Sequence, residues 1–379
     1  MVSFTFVTPP RLVMEWDAAT NGRLATEAAR LGRKPLVLAG RTLGRSGILP
    51  RLVAVLTTAG LSPVVYEGIG PEPSIDAVQA ALDAARVSRA DCLIAVGGGS
   101  VLDVAKGAAL APFDANIRDY FGGAIPVPEN GGLPLLAVPT TAGTGSEATW
   151  VGVYTDTEQK RKASIRGGAM MPTVAVLDAA LTVSCPSSVT AFSGMDAFVQ
   201  ALESLTSVGA NPLTSALARP AVEMTWQNLE TAFREPQNRP AREAVLLGSY
   251  MAGAALNTSR LGLVHGLAHP VGAITGAPHG LICGLLMPAV MRFNNDNEQT
   301  RAVYETLPVL PGVSSNLSPV ERVSTLLQRL SIPTRLRDIG VRESDLDTIA
   351  RDAMTSGSTK ANPRPVSLED ARQVAANAL

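Results

Sequence analysis

The sequence predicts two domains of different architecture: an N-terminal α/β domain with a parallel sheet over residues 1–184, and an all-helical C-terminal domain over residues 185–379. Three observations support this prediction. The chain is longer than one domain of ordinary size. Short apolar runs alternate with helical patterns in its first half. In the second half, apolar residues recur at i, i+3 and i+4, and strand-like alternation disappears.

In the first half, the apolar runs predict the strands of a doubly wound sheet. Helical spacing over Gly47–Ala59 follows the first run, and Ser74 is a suitable N-cap for a helix that continues through Ala85. Strands that alternate with helices form right-handed βαβ units and therefore pair in parallel. The predicted strands are Lys34–Ala39, Ser62–Glu67, Asp91–Val96, Leu133–Val138 and Val174–Leu177.

The apolar spacing of the second half predicts helices throughout. The change follows Cys185 and Pro186, so we predict the domain boundary near residues 180–188. The stretches with the clearest helical spacing are Thr190–Leu205, Asn211–Phe233, Ala241–Ser259 and Ser318–Leu330.

The composition excludes several classes of function. The formal net charge is −1 and only 17% of the residues are charged, so no basic surface is expected for nucleic acid or an anionic membrane. Hydrophobic residues make up 46% of the chain, which excludes a disordered protein. No apolar run approaches the ~18–20 residues of a membrane span, and the N-terminus lacks the basic region of a signal peptide.

The cysteines indicate a compartment. Cys92, Cys185 and Cys283 are far apart and form no CxxC pair, which argues against both a disulfide framework and a cysteine-based zinc site. We predict three buried thiols in a reducing cytoplasm.

Two glycine-rich turns follow predicted strands. Residues 97–100 (GGGS) lead into a helix over Val101–Leu110, where backbone N–H groups and the helix dipole favour an anion. The second turn, residues 139–147, contains a loose GxGxxA match at Gly143–Ala148. Each turn is also compatible with an ordinary βα connection. Two such turns at the carboxyl ends of separate strands predict a pyrophosphate site and a Rossmann-like dinucleotide-binding domain.

The end of the first strand bears on the choice of dinucleotide. An acidic side chain at this position binds the adenosine ribose and repels a 2′-phosphate. Here Gly40 leaves room and Arg41 supplies positive charge, which favours NADP over NAD. The alternative for Arg41 is a solvated loop residue.

All three histidines of the chain fall within residues 265–279. Packing explains such a cluster poorly, whereas metal binding or proton transfer explains it well. His265 and His269 share one face of a predicted helix, and His279 follows a glycine-containing break. A divalent metal also favours a carboxylate, for which Asp196 is the candidate, with Gln200 one turn further on. The alternative for Asp196 is an N-terminal role on its helix.

Four segments resemble the signatures of the iron-containing (group III) alcohol dehydrogenase family, which includes glycerol dehydrogenase, maleylacetate reductase and, more remotely, dehydroquinate synthase. The resemblance extends from about residue 10 to the end of the chain. The segments are GGGSVLDVAK (97–106), PTTAGTGSE (139–147), GMDAFVQALES (194–204) and VHGLAHPVGAITGAPHG (264–280).

The resemblance implies a divalent metal in a cleft between a nucleotide-binding domain and a helical domain. It implies that Asp196, His265 and His279 are metal ligands and that His269 is a non-ligand near the reacting centre. The positions that it implies for cofactor contact are Gly40, Gly97, Gly98, Gly99, Ser100, Asp103, Lys106, Thr140, Thr141, Ser146 and Lys162.

The chain departs from the family pattern at two positions. Gln200 stands where the family has a fourth ligand, a histidine, so we expect Fe²⁺, Zn²⁺ or Mn²⁺ to be held weakly, or the site to be empty. Gly40 stands where NAD-preferring members often have an aspartate, in agreement with NADP.

The predicted function is reversible hydride transfer between a nicotinamide and a small alcohol or aldehyde. Two alternatives remain: a metal-depleted dinucleotide-binding relative without dehydrogenase activity, and a lyase similar to dehydroquinate synthase. The lyase needs a basic cluster for a phosphorylated acid, and none stands near His265–His279 in the sequence. The family often forms dimers or larger assemblies, so we expect a homo-oligomer.

Overall fold

The computed structural model describes residues 3–110, 114–158 and 161–379, apart from the side chain of Thr42. The chain forms two compact units. The α/β unit contains Thr8–Thr141 and Gly145–Val183. The helical unit contains Ser184–Leu379, together with Ala142–Thr144 and the N-terminal residues up to Val7. The boundary between 184 and 185 as a division of two domains stays a prediction.

The α/β unit is built on a parallel sheet with the order β1-β8-β5-β4-β2-β3, to which six strands contribute among the described residues. All five predicted strands are confirmed, as β2, β3, β4, β5 and β8. The strands are β1 (Leu12–Met14), β2 (Pro35–Gly40), β3 (Val64–Ile69), β4 (Cys92–Gly97), β5 (Leu135–Pro139), β6 (Val151–Asp156), β7 (Arg161–Arg166) and β8 (Val174–Leu177).

Three strands were not predicted. β1 has only three residues, too few to show alternation. β6 and β7 form an antiparallel hairpin beside the main sheet. The outer residues of β7 are charged and exposed, which hides the apolar pattern that indicates a strand.

Helices cover both faces of the sheet, because successive strand residues point to opposite sides. Leu36 and Leu38 pack with α4 and α5, while Val37 and Ala39 pack with α1 and α3. The predicted cap of α4 is confirmed: Ser74 Oγ accepts a hydrogen bond from the Ala77 N–H at 3.1 Å. The helices are α1 (Arg23–Leu31), α2 (Arg41–Arg45), α3 (Ile48–Thr58), α4 (Ile75–Ser88) and α5 (Gly99–Ala109), with 3₁₀ turns at Ile117–Gly123, Ser146–Ala148, Gly168–Met170 and Ala179–Thr182.

The strand order places a switch point between β2 and β4. The chain passes from β2 outward to β3 and then returns across β2 to β4, so the connections leaving β2 and β4 diverge. Ligands of open α/β sheets bind at such a point, beyond the carboxyl ends of the strands. Gly40 and Gly97 end these two strands.

The helical unit has one large apolar core that includes Phe198, Trp226, Leu267 and Leu286. The predicted helices are confirmed as α6, α7, α8 and α12. The helices are α6 (Ser187–Thr206), α7 (Pro212–Arg234), α8 (Arg239–Ser259), α9 (Leu263–Thr275), α10 (His279–Asn294), α11 (Glu298–Glu305), α12 (Pro319–Arg329), α13 (Leu346–Thr355), α14 (Gly357–Lys360) and α15 (Leu368–Asn377), with 3₁₀ turns at Leu336–Ile339 and Glu343–Asp345.

Two expectations need correction. Asp196 lies in the middle of α6, because the helix begins at Ser187, so the alternative of an N-terminal role is wrong. Of the three free thiols, Cys92 and Cys283 are buried but Cys185 is partly exposed, because it lies in the turn before α6. Within the described residues, we find no helix that combines the length and the apolar character needed to cross a membrane.

Candidate metal and cofactor sites

Three helices bring the predicted metal ligands together inside the helical unit. Asp196 and Gln200 lie one turn apart on α6, His265 lies on α9, and His279 begins α10. Asp196 Oδ1 is 3.4 Å from His265 Nε2 and 3.8 Å from His279 Nε2. These separations suit ligands around a single ion.

The polar atoms of this cluster fit a cation. Asp196 Oδ1, Gln200 Oε1 and His265 Nε2 are buried and make no hydrogen bond. An unsatisfied buried polar atom costs about 1–3 kcal/mol, so three in one place call for an explanation. A divalent metal would satisfy a carboxylate oxygen, an amide oxygen and an imidazole nitrogen at once.

Glu203, which the sequence analysis did not single out, holds His265 in place. Its Oε2 accepts a hydrogen bond from His265 Nδ1 at 2.6 Å, so the lone pair of Nε2 faces Asp196. Its Oε1 and Oε2 also accept from the N–H groups of Val264 (2.7 Å) and Gly262 (2.9 Å), at the start of α9. Glu203 lies seven residues after Asp196, on the same face of α6, and this spacing was a detectable signal.

Asn362 supports the same helix end. Its Oδ1 accepts from the Leu263 N–H and from Asn294 Nδ2, each at 3.1 Å. The side chain is buried, so the C-terminal segment around it fixes the start of α9. Glu203 and Asn362 therefore satisfy the first N–H groups of the helix that carries His265.

Cys283 also lies beside the cluster. It stands one turn after His279 on α10, and its Sγ is 3.5 Å from His279 Nε2. One ligand atom each from Asp196, His265, His279 and Cys283 all lie within 4.8 Å of one another. The sequence shows no cysteine pair here, so the signal for Cys283 was only a single thiol four residues after a histidine.

The charges of these side chains stabilise one another. Burial would raise the pKa of Asp196, but the adjacent imidazoles of His265 and His279 lower it. Burial would lower the pKa values of His265 and His279, yet the negative charges of Cys283 and Asp196 raise them. Burial opposes ionisation of Cys283 as well, and the charges of His279 and His265 lower its pKa. The opposite charges within the cluster therefore favour the ionised forms of these buried side chains.

His269 lies outside this set of ligand atoms. Its side chain is exposed, and its ring stacks on that of His279 with centroids 5.3 Å apart. The side chain of His279 is itself 38% exposed. A histidine between a buried cluster and solvent is in a position to carry a proton.

The first glycine turn has the geometry of an anion site. A Cβ on Gly97 would lie 2.5 Å from Val101 Cγ2, so only glycine allows this approach of β4 to α5. Gly98 is the N-cap of α5 and supplies no side-chain cap. The first N–H groups of α5, from Gly99 and Ser100 onward, thus have no capping side chain and face the switch point.

The second turn is tied to the first. The Thr140 N–H donates to Gly97 O at 3.0 Å, and a Cβ on Gly98 would lie 3.4 Å from Thr141 Oγ1. The GxGxxA match does not open an α-helix, because a 3₁₀ turn at Ser146–Ala148 leads directly into β6. As an indicator of a Rossmann turn, that match was therefore wrong.

Three predicted cofactor residues are engaged with the protein itself. Ser146 Oγ donates to Asp103 Oδ1 at 2.6 Å, and Asp103 Oδ2 accepts from the Val153 N–H at 3.0 Å. The Lys106 side chain is fully buried and donates to Ser146 O (3.1 Å) and Thr149 Oγ1 (2.9 Å). These contacts hold the second turn on α5. Direct contact of Asp103, Lys106 or Ser146 with a cofactor stays a prediction.

Of the two remaining predicted positions, Gly40 lies beside the glycine turns and Lys162 lies apart on β7. Gly40 ends β2, where an added Cβ would have 3.4 Å to Val101 Cγ2, an ordinary contact. Gly40, Gly97 and Thr140 meet at one edge of the sheet, because β2, β4 and β5 are adjacent and parallel. Lys162 is half-exposed on β7 and pairs with Glu72 at 2.6 Å.

Comparisons with known proteins agree with this geometry. A family model described as iron-containing alcohol dehydrogenase matches residues 9–179, and one for the C-terminal part of that family matches residues 190–379. Lactaldehyde reductase of Escherichia coli (strain K12) is 36% identical over 92% of this chain and 93% of its own length. NAD-dependent methanol dehydrogenase of Bacillus methanolicus is 32% identical over 99% of both.

Solved structures match along the whole chain. A 1,3-propanediol oxidoreductase is 30% identical, with a TM-score of 0.87 and full coverage of both chains. Sulfoacetaldehyde reductase from Bifidobacterium kashiwanohense, in complex with NAD⁺, is 28% identical, with a TM-score of 0.89 over 100% of this chain and 99% of the other. From its sequence, its fold and its cluster of ligand side chains, the chain belongs to the iron-containing alcohol dehydrogenase family of oxidoreductases.

Proposed function

We propose that this protein is a metal-dependent, nicotinamide-linked dehydrogenase that interconverts small alcohols and aldehydes. The observation that carries the proposal is the set of three unsatisfied buried atoms on Asp196, Gln200 and His265, beside His279. Membership of the family implies a divalent metal and a nicotinamide dinucleotide. The relatives named for lactaldehyde, methanol and 1,3-propanediol support small aliphatic substrates.

The side chains of the helical unit have distinct roles in this proposal. Asp196, His265 and His279 would hold the metal, which would supply Lewis-acid polarisation of the substrate oxygen for hydride transfer to or from the nicotinamide. Glu203 accepts a hydrogen bond from the Nδ1–H of His265 and thereby keeps Nε2 directed at the metal site. His269, stacked on His279 and exposed, passes the alcohol proton to solvent.

In the α/β unit, backbone groups bind the cofactor. The N–H groups at the start of α5 and the Gly97–Gly99 turn hold the diphosphate, since no side chain caps this helix. Thr140 and Thr141 line the same turn. We propose NADP as the preferred cofactor, because the end of β2 carries Gly40 rather than an acidic residue.

The metal that we propose is Fe²⁺ or Zn²⁺. The imidazole nitrogens suit both ions, and the carboxylate of Asp196 adds negative charge. The metal-depleted alternative leaves the buried atoms of Asp196, Gln200 and His265 without partners, which argues against it. A cytoplasmic location and a homo-oligomeric state remain predictions.

Chelation tests the proposal. The purified protein should contain about one divalent metal per chain, lose aldehyde reduction with NADPH or NADH when a chelator removes the metal, and regain it when Fe²⁺ or Zn²⁺ returns. Asp196→Asn should bind less metal and lack activity with an unchanged circular dichroism spectrum. Full turnover by metal-free protein would overturn the proposed role of the metal.

A further inference from the structure

Cys283 occupies the position that a fourth metal ligand requires. It is fully buried on α10, one turn beyond His279, and its Sγ lies 3.5 Å from His279 Nε2. The four ligand atoms of Asp196, His265, His279 and Cys283 lie within 4.8 Å of one another. Two of these atoms, Asp196 Oδ1 and His265 Nε2, are buried and unsatisfied. The thiol therefore belongs to a cluster whose unsatisfied buried atoms favour a bound cation.

The distances match a tetrahedral centre. Bonds of about 2.0–2.3 Å from a zinc-like ion to N, O and S donors place neighbouring ligand atoms roughly 3.3–3.8 Å apart. Three of the six separations fall within about this range: 3.4 Å between Asp196 Oδ1 and His265 Nε2, 3.8 Å between Asp196 Oδ1 and His279 Nε2, and 3.5 Å between His279 Nε2 and Cys283 Sγ. The other three pairs of ligand atoms lie within 4.8 Å of one another, so a bound ion would draw the more distant atoms closer together.

We propose that Cys283, as a thiolate, is the fourth protein ligand of the metal and replaces Gln200 in that role. The inference rests on the proposed metal site. Binding of the ion displaces the thiol proton to solvent and forms one metal–sulfur bond. Gln200 Oε1, which is buried and makes no hydrogen bond, remains available to the ion as a weaker, neutral oxygen donor.

A thiolate changes which metal the site selects. Sulfur favours Zn²⁺ and Co²⁺ over harder ions such as Mn²⁺, whereas an amide oxygen favours the harder ions. The site should therefore hold Zn²⁺ more tightly than a carboxylate, two imidazoles and an amide would. The family ligand set of one aspartate and three histidines has no thiolate, so this preference is a property of this chain's own residues.

Substitution of Co²⁺ into metal-free protein gives a direct optical test, independent of activity. If Cys283 binds the metal, the Co²⁺ protein shows the near-ultraviolet sulfur-to-cobalt charge-transfer band, and Cys283→Ser and Cys283→Ala lack it while retaining d–d absorption. Cys185→Ala, which removes a thiol outside the cluster, keeps the band.

The Zn²⁺ and Mn²⁺ affinities of variants give a second test of the proposed role of Cys283. Cys283→Ala should weaken Zn²⁺ binding by at least about tenfold and leave Mn²⁺ binding nearly unchanged. Gln200→His in the Cys283→Ala background should restore Zn²⁺ binding, because it supplies another imidazole one turn from Asp196. If Co²⁺ binds to the wild type without the charge-transfer band, the proposal for Cys283 is overturned and the metal site stands. If no divalent metal binds to the wild type, both are overturned.

Discussion

Gly40 lies where the chain leaves β2 for α2, beside the switch point of the sheet. Its φ of −80° is ordinary for any residue, and an added Cβ would meet Val101 at 3.4 Å. The position therefore accepts a side chain, and glycine is not required for backbone reasons. We therefore expect Gly40 to affect the choice of cofactor through the absence of a carboxylate at this position.

Gly40→Asp should shift the cofactor preference toward NADH. The new carboxylate would bind the ribose hydroxyls and repel a 2′-phosphate, and such repulsion should lower kcat/KM with NADPH by at least about tenfold, or about 1.4 kcal/mol. Steady-state kinetics with both cofactors on one aldehyde measures the ratio. Gly40→Ala, which adds the Cβ without the charge, should leave the ratio unchanged. A similar shift in both variants would mean that space, not charge, sets the preference.

Glu203 links α6 to the start of α9 and orients His265. Glu203→Gln keeps the shape of the side chain but removes the charge that fixes the imidazole. Loss of such an outer-shell partner should weaken metal binding by about 10–100-fold. Competition with a chromophoric chelator measures the affinity, and Glu223→Gln, an exposed site on α7, serves as the matched control. Unchanged metal affinity in Glu203→Gln would contradict this role.

At the scale of elements, buried charges join α5 to the second turn. Lys106, on α5, is fully buried and pairs with Asp103 at 3.0 Å. Glu147, in the 3₁₀ turn, is also buried, and Glu147 Oε1 makes no hydrogen bond. Burial raises the pKa of Glu147 to about 7, and the charge of Lys106 only partly opposes this effect.

This carboxyl makes stability depend on pH. The folded chain holds the Glu147 proton more tightly than the unfolded chain does. The protonated carboxyl therefore contributes fully to the free energy of unfolding below pH 4.5, and this contribution is lost as the pH rises through about 7. Over this window, the wild type should lose on the order of 3 kcal/mol relative to Glu147→Gln. Urea unfolding at several pH values measures the difference. Glu223→Gln should follow the wild type, whereas parallel curves for the wild type and Glu147→Gln would contradict the prediction.

Some strands are easier to predict from the sequence than others. β2, β4, β5 and β8 are buried on both faces, so each appears as a continuous apolar run. The β6–β7 hairpin alternates and carries charges, and its strands pair with each other rather than with the main sheet. β3 is mostly exposed and was still predicted, because it contains the apolar run Val64–Tyr66. An apolar run therefore indicates a strand, whereas a strand that carries charged residues is only weakly indicated.

At the scale of the molecule, metal binding should stabilise the helical unit. A ligand that binds only the folded state adds about 2.7 kcal/mol at 100 times its Kd. Trp226 reports on this unit, since its indole is buried in the core and donates to Pro308 O at 3.0 Å. In a Trp16→Phe, Trp150→Phe variant, we expect the melting temperature followed by Trp226 fluorescence to rise with free Zn²⁺.

The matched control for this shift is Asp196→Asn in the same background. It keeps Trp226 and its surroundings but removes a metal ligand, so its melting temperature should not respond to Zn²⁺. An equal response in both proteins would mean that the metal acts elsewhere on the chain.

From the sequence alone, the fold class, the family and three candidate metal ligands could be predicted, because periodicity, glycine turns and a rare residue clustered in 15 positions are local patterns. The tertiary structure was needed to identify the residues that surround the candidate ligands. Glu203 and Cys283 are separated by 80 positions, and only the packing of α6, α9 and α10 brings both to the histidines. In the α/β unit, the packing of α5 against the second turn buries Lys106 and Glu147 together, and Lys106 donates its hydrogen bonds to that turn. Local patterns encode elements, whereas burial and pairing depend on contacts between distant residues, which one sequence does not display.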